Sequence, residues 1–354
     1  MSARETRLRT GPGAGVSRRG ARGRAGSALI VVLWVLMILA LLVGSLAFDM
    51  QLESNLTGYQ RSQLQAKQLA RAGIEWARYL LNRSLTATAQ LPMQTGDDEA
   101  VYRNAIHLAR GLAVTNVVRE LGTGRFRVDF IPEQAFRNVN QLADQDWQNV
   151  LGRAGVPAEQ WPALIDCFKD YIEVGEDHRI NGAKSDDPFY QERGYGIKGA
   201  LLDTVAELLM IKGFTRELVY GRRAIQPGDL PQPGIASWLT VWGDGKLNLN
   251  ATSPDVMMTI TGIDEAVTSD IIERRKGLDG VEDTVDDGFS NLNEVFAFTR
   301  LPPVLQGLFS VNEHRYMRVV AVGACGDVYS RIQCVMLLGS RNIRIILWQE
   351  GDAP

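Results

Sequence analysis

Residues 27–48 read SALIVVLWVLMILALLVGSLAF, and this apolar run determines how the rest of the chain is placed. It contains no charged side chain. As an α-helix it would be about 33 Å long at ~1.5 Å per residue, enough to cross a hydrocarbon core about 30 Å thick. We therefore expect it to span a membrane once.

The residues before this run are strongly basic. Residues 1–26 contain seven Arg and one Glu, a net charge of +6. Because the whole chain carries −3, the remainder carries −9. The positive-inside rule therefore predicts that the leader stays cytoplasmic and that everything after Phe48 lies outside. An outward part this acidic is a poor partner for nucleic acid.

Three interpretations of the apolar run are open. It could be a single-pass anchor, a secretory signal with small residues at Ser45–Ala47, or a prepilin-type segment whose leader is cut after Gly26. The run exceeds the ~7–15 residues of a signal-peptide core. Residues 49–83 then continue with apolar side chains at helical spacing and without a helix stop, which predicts one continuous helix.

The junction resembles the N-terminus of type IV prepilins and pseudopilins, with a basic leader, Gly26, an apolar helix and an amphipathic extension. The resemblance implies that a membrane peptidase cuts after Gly26 and methylates Ser27. The fifth mature residue is normally Glu, but here it is Val31. Its absence is typical of general secretion pathway protein K, the large minor pseudopilin of type II secretion. Ser27 in place of Phe or Met is a smaller departure.

Two further stretches are similar to the protein K family. GKLNLNATSP, residues 245–254, is close to the family signature G-K-[IL]-N-[IL]-N, and ARAGIEWARYLL, residues 70–81, resembles the end of its stalk helix. The resemblances reach nearly the whole chain from Gly26 onward. Residues 84–121 alone give no clear pattern.

The sequence predicts an α+β fold, with a long N-terminal transmembrane and stalk helix packed on an antiparallel pilin-like sheet. Alternating apolar residues predict a strand at 122–132, strand–turn–strand at 236–249, a hairpin at 316–338 with its turn at Gly326–Asp327, and a last strand at 343–348. Helical patterns cover residues 144–173, 201–212, 254–277 and 292–298.

An internal duplication appears in the helical part. Each copy contains Asn-x-Asn, two helical stretches, an acidic loop and a further helix with D/S-x-x-x-E. This matches the protein K pattern of a large inserted all-α domain with two helix-hairpin-helix-like repeats. The predicted segments are 1–26 (cleaved leader), 27–48 (transmembrane), 49–140 (stalk and first pilin part), 141–234 (first repeat), 235–252 (pilin strands), 253–312 (second repeat) and 313–354 (last pilin strands).

Residues 261–275, TGIDEAVTSDIIERR, fit a helix-hairpin-helix, a motif that often binds DNA phosphate. Residues 253–300 contain eleven acids against four Arg or Lys, a net charge of −7. Such a surface repels phosphate. We therefore predict a structural hairpin and no nucleic-acid partner, with a membrane-anchored DNA-binding protein as the alternative.

Two acidic loops are candidate calcium sites. Calcium prefers six to eight hard oxygen ligands on a flexible loop, but neither loop has EF-hand spacing, and a solvated acidic loop is the alternative. The resemblance favours calcium, because pseudopilins commonly use it to order loops. The candidate ligands are Asp170, Glu173, Asp177, Asp186 and Asp187 in the first loop, and Asp279, Asp283, Asp286 and Asp287 in the second.

The sequence offers no catalytic constellation. The three histidines are scattered, with neither a zinc motif nor a nucleophile elbow, so we predict neither an enzyme nor a small-molecule substrate. Three cysteines, Cys167, Cys325 and Cys334, do not form a disulfide framework. The turn after Cys325 would place Cys334 opposite residues near 320, too far for a bridge unless a bulge shifts the register.

The resemblance implies a minor pseudopilin of type II secretion in the bacterial inner membrane, with its C-terminal domain periplasmic. It would cap the tip and help to initiate the pseudopilus that exports proteins across the outer membrane. Its implied partners are prepilin peptidase and the minor pseudopilins I and J, with protein H as a further candidate, through helix bundling. A tip subunit of a type IV pilus is the alternative within the same class.

Overall fold

The computed structural model describes residues 23–86, 98–175, 177–222, 232–312, 314–339 and 342–351. By compactness the chain divides into two units, Met1–Arg61 and Ser62–Pro354. This division is coarser than the seven predicted segments, whose boundaries stay predictions.

Nine α-helices lie in the described ranges, with short 3₁₀ turns between several of them. The 3₁₀ turns are Glu133–Ala135, Val139–Gln141, Ala158–Gln160, Val205–Met210, Ile235–Ser237 and Pro303–Leu308. The helices are α1 (Gly23–Thr86), α2 (Glu99–Ala109), α3 (Asp144–Arg153), α4 (Trp161–Ile172), α5 (Pro188–Arg193), α6 (Arg216–Tyr220), α7 (Pro254–Met257), α8 (Glu265–Arg275) and α9 (Leu292–Phe298).

Five long strands form the main sheet, and the remaining described strands have only two residues each. The strands are β1 (Val114–Leu121), β2 (Gly124–Pro132), β3 (Arg137–Asn138), β4 (Gly221–Arg222), β5 (Gln232–Pro233), β6 (Leu239–Thr240), β7 (Leu247–Asn248), β8 (Phe309–Ser310), β9 (Tyr316–Cys325), β10 (Val328–Leu338) and β11 (Ile343–Gly351).

The main sheet is antiparallel, with strand order β1-β2-β9-β10-β11. The α+β prediction is confirmed, as are the β9–β10 hairpin, its turn at Gly326–Asp327 and the last strand. Because β2 pairs directly with β9, the residues between them form an insertion that contributes no strand to this sheet.

The second unit contains the last turns of α1, which pack on one face of the sheet. Buried side chains recur at helical spacing along them, and they share a core with buried residues of β2, β9 and β10. Two glycines permit the close approach. A Cβ on Gly73 would lie 3.1 Å from the Cβ of Ala321, and one on Gly323 would collide with the backbone of Ala66 and Ala70. The sheet-facing residues of α1 are Ala66, Ala70, Ile74, Ala77, Leu80 and Leu81.

The predicted strand–turn–strand at 236–249 is wrong as a sheet element. It contains only β6 and β7, which pair in parallel with β3 and β8 and not with each other. Its apolar residues face the core of the insertion, where Trp238, Leu239 and Leu247 are buried. The alternation of apolar residues in this segment therefore results from burial in the core of the insertion and not from a long strand.

Other boundaries also differ. Residues 144–173 are two helices, because Gly155 adopts a positive φ of 76° and Pro157 follows it. Residues 254–277 are likewise divided at Gly262, with φ 89°. Residues 201–212 contain only a 3₁₀ turn. The span without a pattern, 84–121, contains α2 and β1.

The insertion contains the two predicted helix-hairpin-helix-like repeats, α3–α4 and α7–α8, together with two short parallel strand pairs. The same side-chain device closes each repeat. Asn140 donates to the Leu202 carbonyl (3.0 Å) and accepts from its amide (2.9 Å). Asn250 does the same with Phe289, at 2.9 and 2.8 Å. This match supports the predicted duplication.

The first asparagine of each Asn-x-Asn also has a matching partner. Asn138 Nδ2 donates to the carbonyl of Gly243 (2.9 Å), and Asn248 Nδ2 donates to that of Gly111 (2.8 Å). Both glycines have positive φ. Each repeat is thus fastened to a tight turn outside it.

Candidate functional site

The apolar part of α1 is the first functional element. Among the described residues one helix, Ala28–Leu85, is long and apolar enough to cross a membrane, with a mean hydropathy of 3.0 over its best window. Every described side chain from Ala28 to Arg61 is exposed. So large a continuous apolar surface is stable only in lipid or against other helices. The predicted continuous helix is confirmed over Gly23–Thr86.

The predicted processing residues lie at the start of this helix. Gly26 and Ser27 belong to α1 by backbone, and their side chains lie outside the described set. Val31 is 61% exposed. The described helix has no carboxylate before Asp49, so Val31, the fifth residue after the predicted cleavage site, lies in a stretch without acids. Cleavage and methylation stay predictions.

A buried ion pair fixes the insertion to the sheet. Glu133, directly after β2, is fully buried, and Arg318 of β9 donates to its carboxylate through Nε and Nη2, both at 2.9 Å. Thr240 of β6 adds a hydrogen bond of 2.6 Å, and the Arg318 guanidinium lies 4.4 Å from the centre of the Phe136 ring. A bidentate ion pair whose carboxylate also accepts a third hydrogen bond holds the side chains of Glu133 and Arg318 in one relative orientation.

A second joint connects α2 to the second repeat. His107 and Arg110 contact the backbone of the second acidic loop, at Thr284 O (2.6 Å) and Asp287 O (2.7 Å) respectively. Asn250 also donates to the Arg110 carbonyl, at 2.9 Å. The insertion is therefore held at two separate places, to the main sheet through Glu133 and Arg318 and to α2 through His107 and Arg110.

The carboxylates of the first acidic loop are spread over separate contacts. Asp170 is buried and accepts from the Arg179 amide at 3.0 Å. Asp187 caps α5 and contacts Lys212 at 2.6 Å, which lowers the pKa of its carboxyl. Lys184 donates to the carbonyl of Asp170. Glu173 binds Arg179, whereas Asp177 and Asp186 are exposed.

The second acidic loop brings two carboxylates together. Asp286 and Asp287 both accept from the Thr284 hydroxyl, at 2.7 and 3.0 Å. Hydrogen bonds from Thr284 and the Leu278 amide lower the pKa of Asp286. Asp283, with φ 66°, donates its amide to Asp287. Asp279 instead accepts from Val281.

Neither loop therefore gathers a full set of calcium ligands. Within the described residues no three His, Cys, Asp or Glu side chains converge as a metal site. Asp286 and Asp287 come closest to a metal site, because one oxygen of each carboxylate accepts from the same Thr284 hydroxyl. Calcium binding stays a prediction.

The cations of the predicted helix-hairpin-helix bind groups of their own chain. Arg275 donates to the carbonyls of Leu249 and Thr252. The other three pair with carboxylates: Arg300 with Asp270 through two bonds of 2.6 and 2.8 Å, Lys276 with Glu273 at 3.2 Å, and Arg274 with Glu294 at 3.9 Å. The hairpin therefore holds its positive charges in structural contacts.

Comparison with known proteins adds the fold relationship. No family model and no curated protein matches the sequence. The fold is similar to that of a chain in the crystal structure of the GspK-GspI-GspJ complex from the enterotoxigenic Escherichia coli type 2 secretion system. The TM-score is 0.52 and the identity 12%, over 81% of this chain and 98% of that chain.

This chain has a GspK-like fold. The resemblance predicted it from residues at the two ends of α1 and at 245–254. At 12% identity the likeness concerns the fold alone.

Sequence reasoning missed the contacts that position this GspK-like insertion. Glu133 and Arg318 are 185 residues apart and His107 and Thr284 are 177 apart, so no local pattern relates them. The remaining histidines contact nearby carbonyls: His178 that of Arg179, and His314 that of Asn312. The three cysteines are free.

Proposed function

We propose that this protein is a minor pseudopilin of a type II secretion system. It is made with a cytoplasmic leader and is anchored in the inner membrane by residues 27–48, and its acidic domain faces the periplasm. It is not an enzyme; its role is mechanical. The apolar helix bundles with those of other minor pseudopilins, in line with a relative of this fold whose structure is a complex with GspI and GspJ.

The observation that carries this proposal is helix α1. A single helix contains an apolar stretch long enough to span a membrane, and its last turns form part of the core of a folded domain. A signal peptide destined for removal needs no such continuity. A subunit that must remain in the membrane while its domain takes part in an assembly does need it.

Two features support a place at the filament tip. By the resemblance, Val31 stands where ordinary pilins have a carboxylate that pairs with the terminal amine of a neighbouring subunit, and an unpaired carboxylate would be costly in lipid. The insertion is also bulky and fixed by the Glu133–Arg318 pair. Both suit a subunit with no neighbour stacked beyond it.

Processing provides the first test. Mass spectrometry of the full chain extracted from membranes should find an N-terminus at methylated Ser27. Gly26→Leu should leave the leader attached, whereas Gly20→Leu, in the same leader, should be processed normally. A mature protein that starts at Phe48, released from the membrane, would contradict the proposal.

The tip position is tested separately. When the major pseudopilin is overproduced, filaments extend beyond the cell and can be labelled with antibody against this chain. Gold particles should lie at filament ends. Labelling along the length would remove the tip assignment but leave the pseudopilin assignment intact.

A further inference from the structure

The two edges of the main sheet differ in ways that affect association. An open edge exposes backbone donors and acceptors and can pair with another chain, so proteins commonly blunt or cover it. The edges here are β1 and β11.

The β1 edge is blunted. Its register shifts between Val114 and Val117, and Asn116 within the shift has φ 59° and donates its amide to Asp129. Arg119 is held by Asp98 at 2.6 Å. Because the Asn116 amide and the Arg119 side chain already bind partners within the chain, this edge is less available to a further strand.

The β11 edge combines exposed apolar side chains with charged ones. Nine residues, IRIILWQEG, pair with β10 on one side, and within the described ranges no strand lies on the other side. Ile345, Ile346 and Trp348 are 37%, 36% and 40% exposed. Ile346 is the extra residue of a bulge, and the five residues that follow it run in regular register to Gly351.

Positive charge surrounds this edge. Lys67 and Arg71 of α1 lie beside it and share one acid, Glu350, at 2.5 and 3.1 Å. Arg344 on β11 is exposed and has no acidic partner among the described residues. Arg331, opposite Gly351, adds another cation. The edge is therefore locally positive on an outward part that carries −9 overall.

The faces of β11 differ in chemistry. Trp348 stands opposite Cys334 and Ile345 opposite Met336, both in the core shared with α1, so these two side chains lie on the helix side. Alternation places Arg344 on the other face. A strand that paired here would meet Ile345, Trp348 and Glu350 on the helix side. On the other face it would meet Arg344 beside Leu347 and Gln349.

We propose, on the basis of the pseudopilin function above, that β11 accepts an extended segment of a partner minor pseudopilin as a sixth strand. The segment alternates apolar side chains, which cover Ile345 and Trp348, with acidic ones facing Arg344. Backbone hydrogen bonds supply affinity and the alternating side chains supply specificity.

Hydrogen exchange tests the strand directly. The full chain in detergent is compared alone and in complex with the minor pseudopilins co-expressed from the same secretion system. In the complex, amides of 343–351 should exchange at about one tenth of their rate in the isolated chain, because pairing protects them. The exchange rates of amides 114–121 should be unchanged. A complex without protection of β11 overturns the inference and leaves the proposed function standing. Failure to form any complex overturns both.

Matched variants test the side chains. Arg344→Glu reverses the cation that would face acidic side chains of the partner strand, and Val118→Glu, at a 47% exposed position of β1, is its control. Arg344→Glu should reduce recovered complex by about tenfold, equivalent to about 1.4 kcal/mol, with Val118→Glu near wild type and both melting normally. Equal loss from both variants, or none from Arg344→Glu, contradicts the proposal. Protection of 343–351 in the isolated chain at high concentration would assign the edge to a second copy instead.

Discussion

At the scale of single residues, Glu350 shows how one carboxylate joins two elements. It lies near the end of β11 and accepts from Lys67, Arg71 and the Trp348 indole. These donors lower the pKa of Glu350 to about 2, from an ordinary 4.5. Because the carboxylate is exposed to solvent, its importance is in orienting β11 and not in total stability.

We expect the Glu350 carboxyl to titrate near 2. Since its pKa is lowered on folding, the stabilisation is present above about pH 4.5 and is lost as the pH falls through about 2. Carbon-13 NMR of the side chain in the full chain gives the midpoint. Lys67→Met should move it upward because its first donor is removed, and a wild-type midpoint near 4.5 would contradict the contact geometry.

Some residue-level features were accessible from sequence and others were not. The turn at Gly326 predicted that Cys334 faces residues near 320, and Cys334 pairs with Val319. Cys325 is six positions farther along that strand, about 20 Å at ~3.3 Å per residue, so a bridge is excluded by geometry. The Glu133–Arg318 pair could not be predicted, because only the folded chain brings its two partners together.

At the scale of elements, the contact of α1 with the sheet depends on small residues. Gly323 of β9 lies under Ala66 and Ala70, with Leu69 Cβ only 2.9 Å from where a Cβ would stand. No side chain fits there without moving the helix.

Gly323→Val should destabilise the domain by about 1–3 kcal/mol, the usual range for overpacking. Thermal unfolding of the full chain in detergent would show it as a lower Tm. Gly307→Val is a suitable control, because a Cβ at that position meets no heavy atom within 4 Å. Equal effects of the two substitutions would mean that helix contact is not what restricts Gly323.

The closing asparagines of the two repeats permit a paired test. Asn140→Ala and Asn250→Ala each leave one backbone amide and one carbonyl unpaired, at Leu202 and Phe289. Each loss should cost about 1–3 kcal/mol, and more at Asn250, which is 3% exposed and has a further bond to Arg110. Denaturant unfolding measures both. Stability unchanged in either variant would contradict the structural role of that asparagine.

Periodicity predicted the long elements and the short helix α9, but it failed at 201–212 and 236–249. The apolar pattern of α1 and the alternation of β9 to β11 extend over many residues, so their types were clear. The segment 236–249 has the same local pattern, but its residues pack in the insertion core beside two-residue strands. The alternating pattern reflects burial in both cases. Only the length of the pattern distinguishes a strand of the main sheet from an irregular segment buried in the insertion core.

At the scale of the whole molecule, calcium is the remaining prediction about stability. A ligand bound to the folded state alone raises its stability by mass action, about 2.7 kcal/mol at a hundredfold excess over Kd. We expect calcium to raise the Tm of the full chain by several degrees and a chelator to reverse it, with magnesium as control.

The loop responsible can be identified with matched variants. Asp286→Asn should abolish the calcium effect, because Asp286 and Asp287 converge on Thr284. Asp177→Asn, in the first loop, should retain it. A calcium shift lost only with Asp177→Asn would assign the ion to the first loop, and the absence of any shift in the wild type would remove calcium altogether.

The direct pairing of β2 with β9 also constrains how the chain reaches its native state. Pro132 stands opposite Met317, 185 positions later, so the central strands of the sheet cannot meet until the chain has been made at least as far as Met317. Closing so long a loop makes this pairing slow. Until β9 (Tyr316–Cys325) is available, β2 keeps an unpaired edge, and such an edge makes a partly folded chain prone to aggregation.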